Sequence, residues 1–145
     1  MKKIVSLTVV ALCCLQSCGT KKSIAQKPET NVSITHKEWI VVEIENEKIE
    51  LSDPKRFPSM TLSDGTVSGH GSCNRFHGPY TLKDNRITFG NIVATKMFCM
   101  DTQKTEDKYM KALQKVQRWE YKDNQLCFLD DKNQVVIRFQ EKEGE

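Results

Sequence analysis

The sequence predicts an α+β domain in which a curved antiparallel β-sheet or partial barrel of about seven or eight short strands packs on one helix. Short runs of β-branched and aromatic residues alternate with turn residues along most of the chain. A single later stretch has helical periodicity instead. The length of 145 residues is enough for one domain and not comfortably for two.

Composition narrows the class of protein. Hydrophobic residues make up 38% and charged residues 28%, as in a soluble globular body. The net charge of +3 includes Lys2 and Lys3, and without them 20 basic residues face 19 acidic ones. Nucleic-acid binding needs a concentrated basic face, so no nucleic-acid partner is expected.

Residues 1–17 are typical of an export signal. A short positive start precedes an apolar run over residues 4–15. The run is too short to span a bilayer as a mature helix. We therefore expect residues 1–17 to be removed during export.

The signal ends in Leu15-Gln16-Ser17-Cys18, which resembles the lipobox of bacterial lipoproteins. In that motif signal peptidase II cuts before a cysteine that carries the lipid. The resemblance implies that Cys18 is the lipid attachment site, that a membrane is a partner and that the protein lies in the cell envelope, on the periplasmic face of a membrane or at the cell surface. Two alternatives stay open: cleavage elsewhere would release a soluble secreted protein, and Cys13 or Cys14 could be the acceptor.

Residues 18–35 form the expected tether. They are polar and have no sustained periodicity, which is typical of a flexible linker. As a random coil this segment would hold the folded body roughly 20–25 Å from the membrane.

The folded body is expected over residues 36–140, and its first half is predicted to be all strand. Trp39 lies in the first β-branched run, Pro54 and Pro58 mark a loop, Asp64-Gly65 is a strong hairpin turn, and residues 83–85 mark a second hairpin. The expected strands are residues 36–44, 48–51, 59–63, 66–73, 76–82, 86–89 and 91–97.

The period changes over residues 102–118, where a helix is predicted. Apolar residues recur at helical spacing at Tyr109, Met110, Leu113 and Val116. Asp101 or Thr102 can cap the start, and Lys115 and Arg118 suit the negative end of the helix dipole. Strand signals return at residues 119–121, 125–129 and 134–139, followed by a charged tail at 141–145.

We expect the chain to be organised around residues 69–80, which contain three glycines, a proline, two histidines and Cys73. A second cysteine follows in Thr95-Lys96-Met97-Phe98-Cys99. Together with the Trp-bearing first strand, Ile87-Thr88-Phe89-Gly90 and Ala112-Leu113, these motifs resemble the META/HslJ-like domain of bacterial envelope lipoproteins over residues 36–140. The family pattern carries over onto Gly71, Cys73, Asn74, Arg75, Phe76, Gly78, Tyr80, Thr95, Met97, Cys99 and Glu106.

The resemblance implies a small β-rich domain with one helix, linked to envelope stress such as heat shock, with an unsettled molecular activity. It implies no catalytic residues and no cofactor. Lys96 stands where the family often has arginine, which keeps the charge but loses the planar fork.

Cys73 and Cys99 are the expected disulfide, since an oxidising envelope and the motif both favour it. Closing 26 residues would stabilise the fold by roughly 3–4 kcal/mol. The alternative is a pair of buried free thiols. Cys127 is a rival partner, although its neighbours Leu126 and Phe128 suggest a buried single thiol on the opposite sheet face.

Two reactive alternatives remain for the same residues. His70, Cys73, His77 and Cys99 could bind zinc only if a sharp loop gathered them. Cys73 or Cys99 could act as a nucleophile with a histidine base, although no orienting partner is recognisable. We expect neither a metal nor a cofactor.

The expected function is therefore non-enzymatic: a monomeric, lipid-anchored protein that binds an envelope protein or a small apolar ligand. The motif residues are expected to be structural. Arg75 and Glu106 could form a salt bridge, Asn74 is expected to satisfy loop backbone groups, and Trp39, Trp119 and Tyr121 are expected in the core.

Overall fold

The computed structural model describes residues 32–143. The predicted export signal, the lipobox with Cys18 and most of the tether lie outside these residues. Within them the chain forms ten strands, one 3₁₀ turn at Pro54–Arg56 and one helix. The elements are β1 Glu38–Ile44, β2 Glu47–Lys48, β3 Ser59–Ser63, β4 Thr66–His70, β5 Arg75–Lys83, β6 Arg86–Phe89, β7 Val93–Ala94, α1 Gln103–Leu113, β8 Arg118–Lys122, β9 Gln125–Leu129 and β10 Val135–Glu141.

Eight of the strands close into an antiparallel barrel. Their order is β10-β9-β8-β6-β5-β4-β3-β1, and β1 pairs with β10 to complete the circle. The short strands β2 and β7 are additions that pair with β1 and β5. The predicted α+β class is confirmed, with a closed barrel rather than an open curved sheet.

The core is built by inward-facing strand residues and one face of α1. Tyr109, Ala112 and Leu113 of the helix are buried, and the Tyr109 ring packs edge-on against Phe139 and Phe76. Trp39 is fully buried, as predicted. The core residues of the described chain lie between positions 34 and 139.

The folded body begins before residue 36. Ile34 is buried, and its carbonyl accepts a hydrogen bond of 2.9 Å from Trp39 Nε1. The last predicted tether residues therefore pack as part of the domain.

Three strand predictions, 59–63, 86–89 and 125–129, match the observed bounds. The prediction for 91–97 is wrong over most of its length, because only Val93–Ala94 pair as a strand. The prediction for 66–73 runs too far, because β4 ends at His70 and residues 71–74 form a turn.

The helix is shorter than predicted. It ends at Leu113, and the next backbone bonds, Lys115 N to Ala112 O and Val116 N to Leu113 O, tighten the chain into a turn toward β8. The assignment of Lys115 and Arg118 to the helix end is therefore wrong. Lys115 instead pairs with Glu45, and Arg118 begins a strand.

Thr102 occupies the helix N-cap position, but its side chain makes no capping bond. Its hydroxyl donates to the carbonyl of Ser72 at 3.4 Å and accepts from Arg56 at 3.1 Å. Thr102 therefore ties the start of the helix to the turn after β4.

Trp119 and Tyr121 are half-buried and pack against the core from β8. The indole N–H of Trp119 donates to the carbonyl of Asp84 at 2.9 Å. These two aromatic residues cover the barrel wall and lie at the margin of the core rather than inside it.

Candidate functional site: the disulfide joint and its exposed loop

A tight turn at residues 71–74 connects β4 to β5. The N–H of Gly71 donates to the carbonyl of Asn74 at 2.7 Å, and Ser72 has a positive φ of 101°. Gly71 lies against the helix, where a Cβ atom would come within 2.8 Å of Glu106 Oε2. A side chain at this position would push the turn away from α1.

Cys73 and Cys99 form a disulfide, which confirms the predicted pairing. Their Cα atoms are 5.8 Å apart, and Cys73 is buried. Cys127 remains a free buried thiol, also as predicted. The bond fastens the segment after β7 to the turn before β5.

Asn74 connects this segment to the turn through its side chain. Its Oδ1 accepts from Thr95 Oγ1 and from the Met97 N–H, both at 2.7 Å. Its Nδ2 donates to the Met97 carbonyl at 3.0 Å and to Glu106 Oε1 at 2.6 Å. A primary amide has two donors and two acceptor lone pairs, so Asn74 uses its whole hydrogen-bonding capacity.

Glu106 joins the helix to the same turn. It is a buried carboxylate, and its Oε2 accepts from the N–H groups of Cys73 at 3.0 Å and Asn74 at 2.6 Å. The prediction of a salt bridge between Arg75 and Glu106 is wrong. Arg75 is exposed at the start of β5, while the carboxylate of Glu106 is buried and bonded to Cys73 and Asn74. We call residues 71–74, residues 95–99 and Glu106 the joint.

Other motif residues of β5 fix the position of the strand that follows the turn of the joint. Phe76 and Tyr80 point into the core, and a Cβ atom on Gly78 would come within 2.8 Å of the Asn91 carbonyl. Gly78 therefore lets the chain before β7 approach β5 closely. These residues build the scaffold on which the joint rests.

The joint holds an exposed apolar loop. Met97 is 58% exposed, Phe98 77% and Met100 83%, and Val93 nearby is also exposed. We call residues 97–100 the contact loop. Among the described residues the other exposed large hydrophobic side chain is Leu82, on the β5–β6 hairpin. Sequence reasoning did not single out this exposure, although two apolar residues flanking a cysteine in a turn-rich stretch were a signal for it.

The groove that His70 and His77 line includes neither Cys73 nor Cys99. His70 and His77 line a groove on the outer face of β3, β4 and β5, together with Arg75 and Lys55. Among residues 32–143 no three His, Cys, Asp or Glu side chains are grouped as metal ligands.

Cys127 belongs neither to the joint nor to the groove lined by His70 and His77. It is buried in β9 with its sulfur 3.3 Å from Arg138 Nη1. Burial raises the pKa of the Cys127 thiol above its ordinary value of 9.0. The thiol therefore remains protonated at neutral pH.

A small cleft lies between the end of α1 and the chain that follows β6. Met110 and Leu113 line it from the helix, and Phe89 and Ile92 line it from the sheet. Its volume is about 230 Å³. Pockets for small organic ligands are usually larger, about 300–1,000 Å³.

Comparison with known proteins decides the family. The META domain family model matches residues 32–143, which is nearly all of the described chain. The chain belongs to the META domain family. No curated protein matches it significantly.

Solved structures share the fold of this META domain. A solution NMR structure of a protein from Burkholderia xenovorans has a TM-score of 0.63 and 23% identity, covering 77% of this chain and 85% of that one. A second NMR protein structure has a TM-score of 0.58 and 19% identity, covering 74% and 90%. A crystal structure of a DUF4847 family protein from Bacteroides vulgatus has a TM-score of 0.54 and 15% identity, covering 77% and 96%. At these identities the likeness concerns the fold alone.

Within residues 32–143 no helix combines the length and the apolar character that crossing a membrane requires.

Proposed function

We propose that this META domain protein is a non-enzymatic, lipid-anchored binding protein of the cell envelope, that it uses the contact loop to hold its partner, and that it contributes to tolerance of envelope stress. The observation that carries the proposal is the exposure of Phe98 and Met100 on a rigid joint. Large apolar side chains grouped on a surface are typical of interaction sites.

The joint favours binding because it fixes the loop before any partner arrives. The disulfide, the four hydrogen bonds of Asn74 and the carboxylate of Glu106 all restrain residues 95–99 or the turn beside them. A loop already held in one conformation loses less conformational entropy when it binds.

The chemistry of the joint supports a non-catalytic role. The sulfurs of Cys73 and Cys99 are bonded to each other, and the Cys127 thiol is buried and protonated. Asn74 and Glu106 direct their polar atoms to backbone groups and to each other. None of these groups is presented to a substrate as a nucleophile or a base.

A surface contact is favoured over a small apolar ligand. The cleft between α1 and the chain after β6 measures about 230 Å³, below the usual range for ligand pockets. The larger groove, on the outer face of β3, β4 and β5, is lined by the polar side chains of His70, Arg75 and His77, which suit a small apolar ligand poorly. The contact loop presents Met97, Phe98 and Met100 to solvent, where a flat or extended partner can reach them.

The anchor and the location follow from the lipobox resemblance, and the disulfide agrees with an oxidising compartment. The test is metabolic labelling with an alkyne fatty acid, followed by membrane fractionation. We expect the wild-type chain to be labelled and membrane-bound, and Cys18→Ala to lose both properties. Cys13→Ala is the matched control and should keep them. Unchanged labelling of Cys18→Ala would refute the anchor.

The contact loop is tested by complementation. Cells that lack the protein and are sensitive to heat or detergent would receive the wild type, Phe98→Ser or Leu82→Ser. We expect Phe98→Ser to fail at normal protein level, whereas Leu82→Ser, another exposed apolar side chain, should restore tolerance. Full rescue by Phe98→Ser would overturn the proposed role of the loop.

A further inference from the structure

We infer that the partner of the contact loop is the surface of a bilayer containing anionic phospholipids, with Phe98 and Met100 entering the interface and Arg75 and Lys96 facing the headgroup phosphates. The inference rests on the proposed function, because it names the partner of the same loop.

The apolar side chains lie along one fixed strip. Residues 93–99 run antiparallel beside residues 73–77, beginning where Val93 pairs with His77. The Thr95 N–H donates to the Arg75 carbonyl at 3.1 Å, and the Cys73–Cys99 disulfide fastens the far end. Val93, Met97 and Phe98 in this segment, and Met100 directly after it, are all exposed, so the apolar side chains that could enter a membrane interface lie on one short stretch of chain beside β5.

Positive charge borders this strip. Lys96 is exposed between Thr95 and Met97, and Arg75 is exposed on the adjoining strand. Within residues 32–143 neither side chain has a carboxylate partner, and the acidic residue nearest in sequence to the loop is Asp101. An apolar strip with cations at its border complements a negatively charged lipid surface better than a neutral one.

The groove beside Arg75 has room for a headgroup. The strand register places His70 opposite Arg75 and Ser59 opposite His70, all on the outer face of the barrel. Lys55 reaches the same groove from the 3₁₀ turn, and the groove encloses about 970 Å³. Guanidinium, ammonium and hydroxyl groups are all donors for phosphate oxygens.

With the tether anchored at Cys18, a weak contact between the folded body and the membrane would be sufficient for binding. Thirteen residues separate Cys18 from Val32. As a coil they span about 20 Å, so an anchored domain would meet its own membrane at a high effective concentration.

The test uses residues 19–145, which lack Cys18 but retain all the residues that the structure describes. Co-sedimentation would compare vesicles of phosphatidylcholine alone with vesicles that also contain phosphatidylglycerol. We expect the protein to bind the anionic vesicles and to bind the neutral vesicles much less. Phe98→Ser should lower the partition coefficient about tenfold, because the variant lacks the aromatic side chain that the wild type transfers from water into the interface. Arg75→Gln and Lys96→Gln should each lower it about fivefold.

The matched controls are Leu82→Ser for apolar exposure and Lys132→Gln for charge, since both lie on other hairpins of the barrel. Both should bind as the wild type does. Circular dichroism and urea unfolding of each variant would establish that the fold is intact.

Equal binding to both kinds of vesicle, or equal losses in Phe98→Ser and Leu82→Ser, would overturn the inference. A photo-crosslinking amino acid at position 98 gives an independent result in cells. Crosslinks to phospholipid support the inference. Crosslinks confined to a protein overturn it and leave the proposed function standing, whereas failure of Phe98→Ser to affect stress tolerance would overturn the proposed function itself.

Discussion

At the scale of single residues, Asn74 and Glu106 determine the joint. Asn74 bonds both the N–H and the carbonyl of Met97, as a neighbouring strand would. Glu106 supplies the only carboxylate among the described residues that is both buried and bonded to backbone N–H groups of the turn. The motif resemblance pointed to both residues, but their partners could not be predicted because they lie 21 to 33 positions away.

Glu106→Gln is expected to destabilise the fold by about 2–4 kcal/mol, because an amide replaces a carboxylate that accepts three buried hydrogen bonds. Urea unfolding measures the change. Asp107→Asn, one position along the same helix and exposed, should change stability by less than about 0.5 kcal/mol. Equal effects of the two substitutions would contradict the assigned role of Glu106.

Tyr109→Phe is expected to stabilise the protein by about 1 kcal/mol at neutral pH, since the buried hydroxyl has no hydrogen-bond partner among the described residues. The ring contacts with Phe76 and Phe139 would remain. Tyr121→Phe, at a half-buried position, is the comparison and should have a smaller effect.

The same tyrosine gives a pH dependence. Burial raises the pKa of Tyr109 above its ordinary value of 10.0, so above pH 10 the unfolded chain loses a proton that the folded protein retains. Stability of the wild type should therefore fall as pH rises past 10, and Tyr109→Phe should fall less steeply, by up to about 1.4 kcal/mol per pH unit. If the free energy of unfolding had the same pH dependence in the two proteins from pH 9 to 11, this prediction would be contradicted.

At the scale of elements, the segment between β6 and α1 differs most from the prediction. Its composition favours a strand over residues 91–97, yet only two residues pair in the ladder. The Asn74 side chain and the disulfide take the place of the remaining backbone pairs, and the chain turns outward to expose Phe98. Local propensity cannot anticipate a partner that is a side chain from a distant turn.

Removing the disulfide should lower stability by about 3–4 kcal/mol, the loop-closure estimate for its 26-residue separation. The double variant Cys73→Ala/Cys99→Ala and the reduced wild type should agree within error in urea unfolding. A reducing agent should leave the double variant unchanged, which is the control. A loss below about 1 kcal/mol would mean that the hydrogen bonds of the joint alone hold the loop.

At the scale of the whole molecule, closure of the barrel depends on the two ends of the described chain. β1 and β10 are nearly a hundred residues apart, and they pair from Trp39–Glu141 to Ile44–Ile137. The ion pairs Lys37–Glu141 and Lys142–Glu38 lie at the same seam. The turn of the joint connects β4 and β5, which belong to this barrel. The barrel therefore needs strands from both ends of the described chain to close around them.

Truncation after Asn133 should abolish cooperative unfolding, because it removes β10 and with it the buried side chains of Val136, Ile137 and Phe139. Truncation after Lys142 should leave the urea midpoint nearly unchanged. Circular dichroism during urea titration measures both. A cooperative transition in the shorter chain would show that barrel closure is dispensable.

The sequence by itself determined the α+β class, the single helix and several strand bounds, because alternation, helical spacing and turn residues act over a few positions. The Cys73–Cys99 pairing was expected from the motif and the compartment, and the structure decided it. Tertiary structure alone decided that the sheet closes, that Asn74 and Glu106 rather than an Arg75 ion pair build the joint, and that Phe98 and Met100 face outward. Each of these depends on which distant segments meet, and burial or hydrogen bonding between them is set by the whole fold rather than by local residue order.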